Sequence, residues 1–232
     1  MVDLIFSPNW FMGKDIIIDV FSMIILFFIA FFSFRCYKTD RCNKNHFYLS
    51  LSFLMIGLSF LFKIFTNFVV YREIVYKETL GLLTVIHTVT VQAFLPSYLS
   101  SIMQKSFMLV GLYFLYVVLE KNKTIIDHVM VIALLLMITH LSHMRHLYYH
   151  ITVLVMLSII SAKYYLLFKK NKQKTTKYLS YIFGVIAISQ ILFFFITKYK
   201  NFYVLGEIVQ AIGYVMLLII FIMVLKRGKK KR

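Results

Sequence analysis

The chain is poor in the residues that punctuate soluble proteins, with 8 glycines, 2 prolines and 2 cysteines among 232 residues, and 9 acidic residues against 26 basic ones. So little Gly and Pro excludes flexible or polyproline linkers and, with them, a soluble domain tethered to the main body. Cys36 and Cys42 fall in one basic loop. They are too few for a disulfide framework or a four-ligand zinc site, and they read as free thiols. The shortage of acid leaves a net charge of +17. The basic residues gather in short clusters, which is the pattern of membrane-orientation signals and not of a nucleic-acid groove. The first apolar run lacks a basic leader and a small-residue cleavage site, and Arg35 and Lys38 follow it, so it reads as a retained span.

What the chain has in excess is apolar: 61% hydrophobic residues, 18% aromatics and a mean hydropathy of +0.81. Soluble domains hold roughly 45 to 50%, so the solvent here is lipid. About 20 residues at 1.5 Å each cross a hydrocarbon layer of about 30 Å. Segments of that length run from Ile16 to Phe34, Phe47 to Val70, Leu99 to Leu119, Thr124 to His143, Leu147 to Leu167, Tyr178 to Thr197 and Tyr203 to Leu225. The expected fold is therefore an all-α integral membrane protein, a bundle of seven transmembrane helices in a single domain over residues 16–225. Residues 1–15, with Pro8, Trp10 and Phe11, read as an outer interfacial segment, and residues 226–232 as a basic cytoplasmic tail.

Placing the loops on alternating sides groups Arg35, Lys38, Arg41 and Lys44 with Lys121 and Lys123, with the lysines from Lys169 to Lys177, and with the tail. The positive-inside rule then puts the N-terminus outside and the C-terminus inside. Residues 80–95 read as an outer interfacial or re-entrant helix ahead of the third span, with Pro96 as the break. Counting that segment as an eighth span would put the first basic loop outside, against the rule.

Ionisable residues inside spans are expensive, so their depth and face carry information. Measured along each helix, Asp19, Lys63, Lys105, His140, His150 and Glu207 all lie roughly 22 to 28 Å from the inner boundary, in one outer layer. Ser52, Ser59, Lys63 and Thr66 share a stripe of the second span, Ser97, Ser101, Gln104 and Gly111 a stripe of the third with Lys105 at its edge, and Glu207, Gln210 and Tyr214 a stripe of the seventh. Two readings compete. Either the charges snorkel to the outer headgroups while the small residues form packing seams, or Asp19, Lys63, Gln104, Lys105, Glu207, Gln210 and Tyr214 converge on an outward-facing polar pocket where charge pairing offsets desolvation.

Four of the seven histidines, His140, His143, His146 and His150, fall within one turn region between two spans. The first two are spaced i, i+3 and the last two i, i+4, so a helical hairpin can bring the pairs together as nitrogen ligands for zinc or another transition metal, with His87 and Glu207 as further candidates. A wet, unligated loop is the plainer reading. Motifs of known seven-span families are missing: Tyr203 to Leu225 holds no lysine for a retinal Schiff base and no histidine where zinc hydrolases of the alkaline ceramidase type carry a pair, and the Pro-Gln pair of small sugar transporters is absent.

Three functions follow from these features. The first is a receptor-like or small-ligand-binding module, with anionic lipid or a cytoplasmic protein at the basic loops and no nucleic acid. The others are a metal-dependent hydrolase built on the histidines, with Glu207 or Asp19 as base, and a small-solute transporter. No nucleophile or acid–base constellation stands above background, and the small Gly and Pro content offers few midplane hinges, which favours the first. The Lys- and Ile-rich, Cys-poor composition points to a microbial cell membrane.

Overall fold

A computed structural model describes residues 7–230 apart from 9, 12, 40–43, 71–72, 81–82, 91–93, 121–124, 142–145 and 197; for 39, 69–70, 73–80, 83–90, 94–97, 125–130, 146 and 225–230 it describes the backbone alone. Each expected span is a helix: α1 (Lys14–Thr39), α2 (Lys44–Val70), α3 (Phe94–Leu119), α4 (Ile125–Leu141), α5 (His146–Asn171), α6 (Lys174–Phe194) and α7 (Asn201–Lys230). Six of them are long and apolar enough to cross a membrane, and α4 contributes a shorter apolar helix. Several helices outrun their apolar runs into charged flanks, because Lys and Arg propagate a helix well. Thus α7 continues through most of the basic tail.

The apolar body is all-helical, but the segment between α2 and α3 is not helical as expected. Within the expected outer helix, residues 80–95, Leu83–Thr90 is instead a strand, β2, paired antiparallel with β1 (Glu73–Leu80), Glu73 opposite Thr90 and Leu80 opposite Leu83. The reason is legible in composition: Thr84, Val85, Ile86, Thr88, Val89 and Thr90 are β-branched, and Gly81 precedes them. Helix α3 then starts at Phe94, which leaves Pro96 in the first turn, where its missing N–H costs nothing.

The pairs α1/α2, α2/α3 and α5/α6 run antiparallel. Ser50 donates to the Ala30 carbonyl and Ser52 to that of Gly111, Thr66 bonds Ser100, and Ser161 donates to the Ser180 carbonyl while His150 meets Gln190. Between α5 and α6 only Lys172 and Gln173 intervene. The turn is closed by Lys172 in the left-handed region (φ 52°), its N–H bonded to the Phe168 carbonyl. Helices α1, α2, α3, α5, α6 and α7 form a closed ring in which α3 packs on α5 and α7 on α1, whereas α4 packs lightly on α3 and α5. Among its described side chains only Leu135 and Thr139 are buried, with Leu134, Leu136, Met137 and Leu141 exposed. Both α3 and α5 set out from the same end of the bundle, so α4 carries the chain back between them.

The ring differs from a soluble bundle in its apolar outer face. Phe21, Ile24, Phe28 and Phe31 of α1 and Ile208, Ile212, Ile219 and Ile222 of α7 are exposed, whereas Ser22, Ser33, Ser52, Ser59 and Ser189 are buried. An apolar outer surface this continuous is what a lipid solvent permits. Small residues let the helices close up: a Cβ on Gly111 would stand 3.0 Å from the Ser52 carbonyl oxygen and 2.7 Å from Ile56. Filling the half of the ring remote from the N-terminus, Leu26, Ile29, Leu109, Leu112, Leu115, Leu157, Ile160, Ile182 and Leu217 are almost wholly buried.

Candidate ligand cavity

At the other end of the ring, where the N-terminal segment, the end of α2, the starts of α3 and α5 and the α6–α7 turn lie together, a cavity of about 330 Å³ opens. Helix α2 contributes Ser59, Phe60, Lys63, Thr66 and Asn67; α3 contributes Ser101, Gln104, Lys105 and Met108. From α5 come Leu147, Tyr149 and His150, from α6 Gln190, Phe193 and Phe194, and from α7 Tyr203, Glu207 and Gln210. Their common depth follows from helix rise, and their common azimuth from the ring's packing.

Three helices meet at one ammonium. Lys63 Nζ donates to Asp19 Oδ1 at 2.7 Å and to Glu207 Oε1 at 2.5 Å. It also lies 5.6 Å from the Phe60 ring centroid and 5.9 Å from that of Tyr203. Asp19 is fully buried and the Glu207 side chain 3% exposed, whereas that of Lys63 is 15% exposed. In such surroundings the ion pair repays desolvation only through close geometry and added hydrogen bonds. The geometry is close, but the bonding is incomplete: among the described residues Asp19 Oδ2 has no hydrogen-bond partner, and neither do Ser7 Oγ and Asn67 Nδ2, which both belong to cavity-lining residues.

On the facing wall, Lys105 is buried with its Nζ 6.0 Å from the Tyr149 ring centroid. His150 Nδ1 and Gln190 Oε1 are 2.9 Å apart. The His150 ring packs 5.1 Å from Phe193, which lies 6.0 Å from Tyr203. Below, Gln210 Nε2 donates to the Tyr214 hydroxyl at 3.0 Å, and the Tyr214 ring meets Phe60 edge-on.

Of the residues singled out for a polar pocket, Lys63, Gln104, Lys105, Glu207 and Gln210 line the cavity; Asp19 stands behind Lys63 and Tyr214 beneath Gln210. The small-residue stripes divide between the two sequence readings. Ser52 and Thr66 spend their hydroxyls on α3 as a packing seam, with Thr66 also touching the cavity, whereas Ser59 and Ser101 face the cavity with Lys63 and Gln104. Gln190, Phe193, Tyr149 and Tyr203 were not singled out in sequence. Only Gln190 had a signal, as the one amide in an otherwise apolar span.

The histidines are dispersed in their description. His150 lines the cavity and His140 is exposed on α4. His143 lies outside the described residues, and only the backbone of His146 and His87 is described. Among the described residues no group of three or more His, Cys, Asp or Glu side chains is arranged to hold a metal ion. Lys163 bonds Glu120, which also accepts from the Tyr116 hydroxyl.

The arrangement suits recognition more than bond making. It presents amides, hydroxyls, two ammoniums and a carboxylate around aromatic walls, which is the makeup of a small-molecule pocket. Compared with known proteins, the chain matches no family model, no curated protein and no solved structure.

Proposed function

We propose that this chain is a receptor-like, small-ligand-binding membrane module whose pocket faces outward, with its N-terminus outside and C-terminus inside a cell membrane. The observation that carries this reading is the cavity with a charged, hydrogen-bonding lining at one end of a ring whose other half is packed largely with Leu and Ile. That apolar floor offers a polar solute no onward path, which weighs against the transporter reading. The basic clusters flanking the opposite ends of the helices support the orientation. They also suit anionic lipid or the acidic surface of a cytoplasmic partner.

A ligand that binds only the folded state raises its unfolding temperature as its concentration rises. The detergent-purified chain should show such a shift with at least one class of small polar molecule, and Lys105→Met should abolish it. Counterflow of a labelled solute in liposomes would replace this reading with the transporter. For orientation, an impermeant thiol reagent applied to intact cells should label Lys198→Cys but not Lys170→Cys, each in a Cys36→Ser/Cys42→Ser background. The reverse pattern would turn the pocket inward.

A further inference from the structure

Resting on that reading, we infer that the cavity binds an uncharged sugar ring, its hydroxyls bonded by Ser7 and Asn67 and one face laid on Phe193 and Tyr203. Hydrogen bonding is the first argument. Ser7 Oγ and Asn67 Nδ2 are buried in the cavity wall without a partner among the described residues, and Ser7 is 1% exposed. Buried polar groups are nearly always bonded, and an orphan costs stability, so a space lined by two of them calls for a molecule that completes them. An amide nitrogen only donates, whereas a serine hydroxyl both donates and accepts. Ser59, Ser101 and Gln104 add groups of both kinds to the same lining. A hydroxyl answers donors and acceptors through one atom, so a molecule bearing several of them satisfies this mixture.

Charge and shape narrow the class. The charged residues of the lining are Lys63, Lys105 and Glu207. Lys63 and Glu207 are bonded to each other, and Lys63 also bonds Asp19. A cation entering here meets two ammoniums, and an anion meets Glu207 with Asp19 close by, so either brings a repulsion that a neutral molecule avoids. A neutral hydroxyl still accepts from the ammonium of Lys105 and donates to Glu207. Beside these polar groups the lining presents the rings of Phe60, Phe193 and Tyr203. A sugar ring matches that division, with C–H groups on its faces to pack on aromatic rings and hydroxyls around its edge. A cavity of about 330 Å³ stands at the small end of organic-ligand sites, which suits one ring and not a chain of them. The chemistry is the same whether the ring arrives free or as the headgroup of a glycolipid.

The test is thermal unfolding of the full chain in a detergent without a sugar headgroup, titrated with glucose, galactose or mannose and, at matched osmolarity, with propylammonium chloride or sodium propionate. At least one hexose should give an upward shift that saturates, whereas mere exclusion of a sugar from the protein surface stabilises without saturating. Asn67→Leu and Phe193→Leu should each move the midpoint to about tenfold higher concentration, and Ser7→Ala to about threefold. Ser7→Ala and Asn67→Leu remove an unbonded group, so they should leave the unliganded unfolding temperature unchanged or higher, and their effect reads binding apart from folding. A galactosyl diacylglycerol mixed into the micelles tests the lipid-borne form, and a shift there alone, weakened by the same variants, would assign the ring to a lipid headgroup. Silence toward the sugars in both forms, with a shift from the ammonium, the propionate or another class of polar molecule, would overturn this inference and leave the ligand-binding reading standing. A sugar shift of equal midpoint in the wild type, Ser7→Ala, Asn67→Leu and Phe193→Leu would also overturn it. Silence toward every probe would overturn both.

Discussion

Two lysines of this chain each hold a carboxylate, and they do so at opposite ends of the bundle. Lys63 sits at the cavity, ties α2 to α1 and α7, and faces two buried acids. Lys163 lies 13 residues beyond His150 on α5, roughly 20 Å along the helix, and pairs with Glu120 where both side chains are about one-third exposed, at 29% and 32%. The same chemical pair is a structural commitment in one place and a surface contact in the other. What differs is water: a buried partner deprived of its countercharge cannot be resolvated, and an exposed one can.

The sharpest way to break the comparison is to remove each lysine in turn. Lys63→Met strands Asp19 and Glu207 and should cost about 3 to 5 kcal/mol, whereas Lys163→Met should cost about 0 to 1 kcal/mol. Equal losses in reversible unfolding in detergent would show that the two ends do not differ in solvation. A second step tests the cause. Replacing the whole cluster, as Lys63→Met with Asp19→Leu and Glu207→Met, should recover most of the loss, because no buried charge is left unpaired. Continued instability of the triple variant would mean that Lys63 matters for its packing.

Glycines sharpen the same contrast with smaller effects. A Cβ on Gly206, at the cavity end, would meet the Phe193 ring at 2.5 Å, whereas one on Gly184 meets only Ser161 Oγ at 3.7 Å. Gly206→Ala should therefore destabilise by about 1 to 3 kcal/mol and push Phe193 toward the cavity. Gly184→Ala should stabilise by about 0.5 to 1 kcal/mol, as expected for a helix interior with room for the methyl. The ordering of the two unfolding midpoints is the check. The smallest expected effect concerns metal: elemental analysis of the purified chain should find well under one zinc per chain. Near-stoichiometric zinc that disappears in a His143→Ala/His146→Ala/His150→Ala variant would restore the hydrolase reading and move the chemistry to the α4–α5 turn.

Much of this was legible before any coordinates. The helices lie where apolar runs of spanning length lie, because burial in lipid forces backbone hydrogen bonds to be made within each segment. The layer of charges at one depth was legible too, since helix rise converts residue number into height. Within the expected helix at 80–95, Leu83–Thr90 is a strand because the β-branched content of Thr84 to Thr90 outweighs the segment's length and hydropathy. The aromatic walls had no signal, because Phe193 and Tyr203 look like any lipid-facing ring until a neighbouring helix covers them.

Sequence by itself determined where the apolar helices run and the common height of Asp19, Lys63, Lys105, His150 and Glu207, since each of these follows from the local geometry of one helix. Only the tertiary structure decided that Lys63 takes both Asp19 and Glu207, that Lys105 stands against Tyr149, that α4 lies beside the ring, and that a cavity is left between the two lysines. Those outcomes depend on which helices are neighbours and how each is rotated. That is set by side chains from different spans fitting together, and no single helix carries that information.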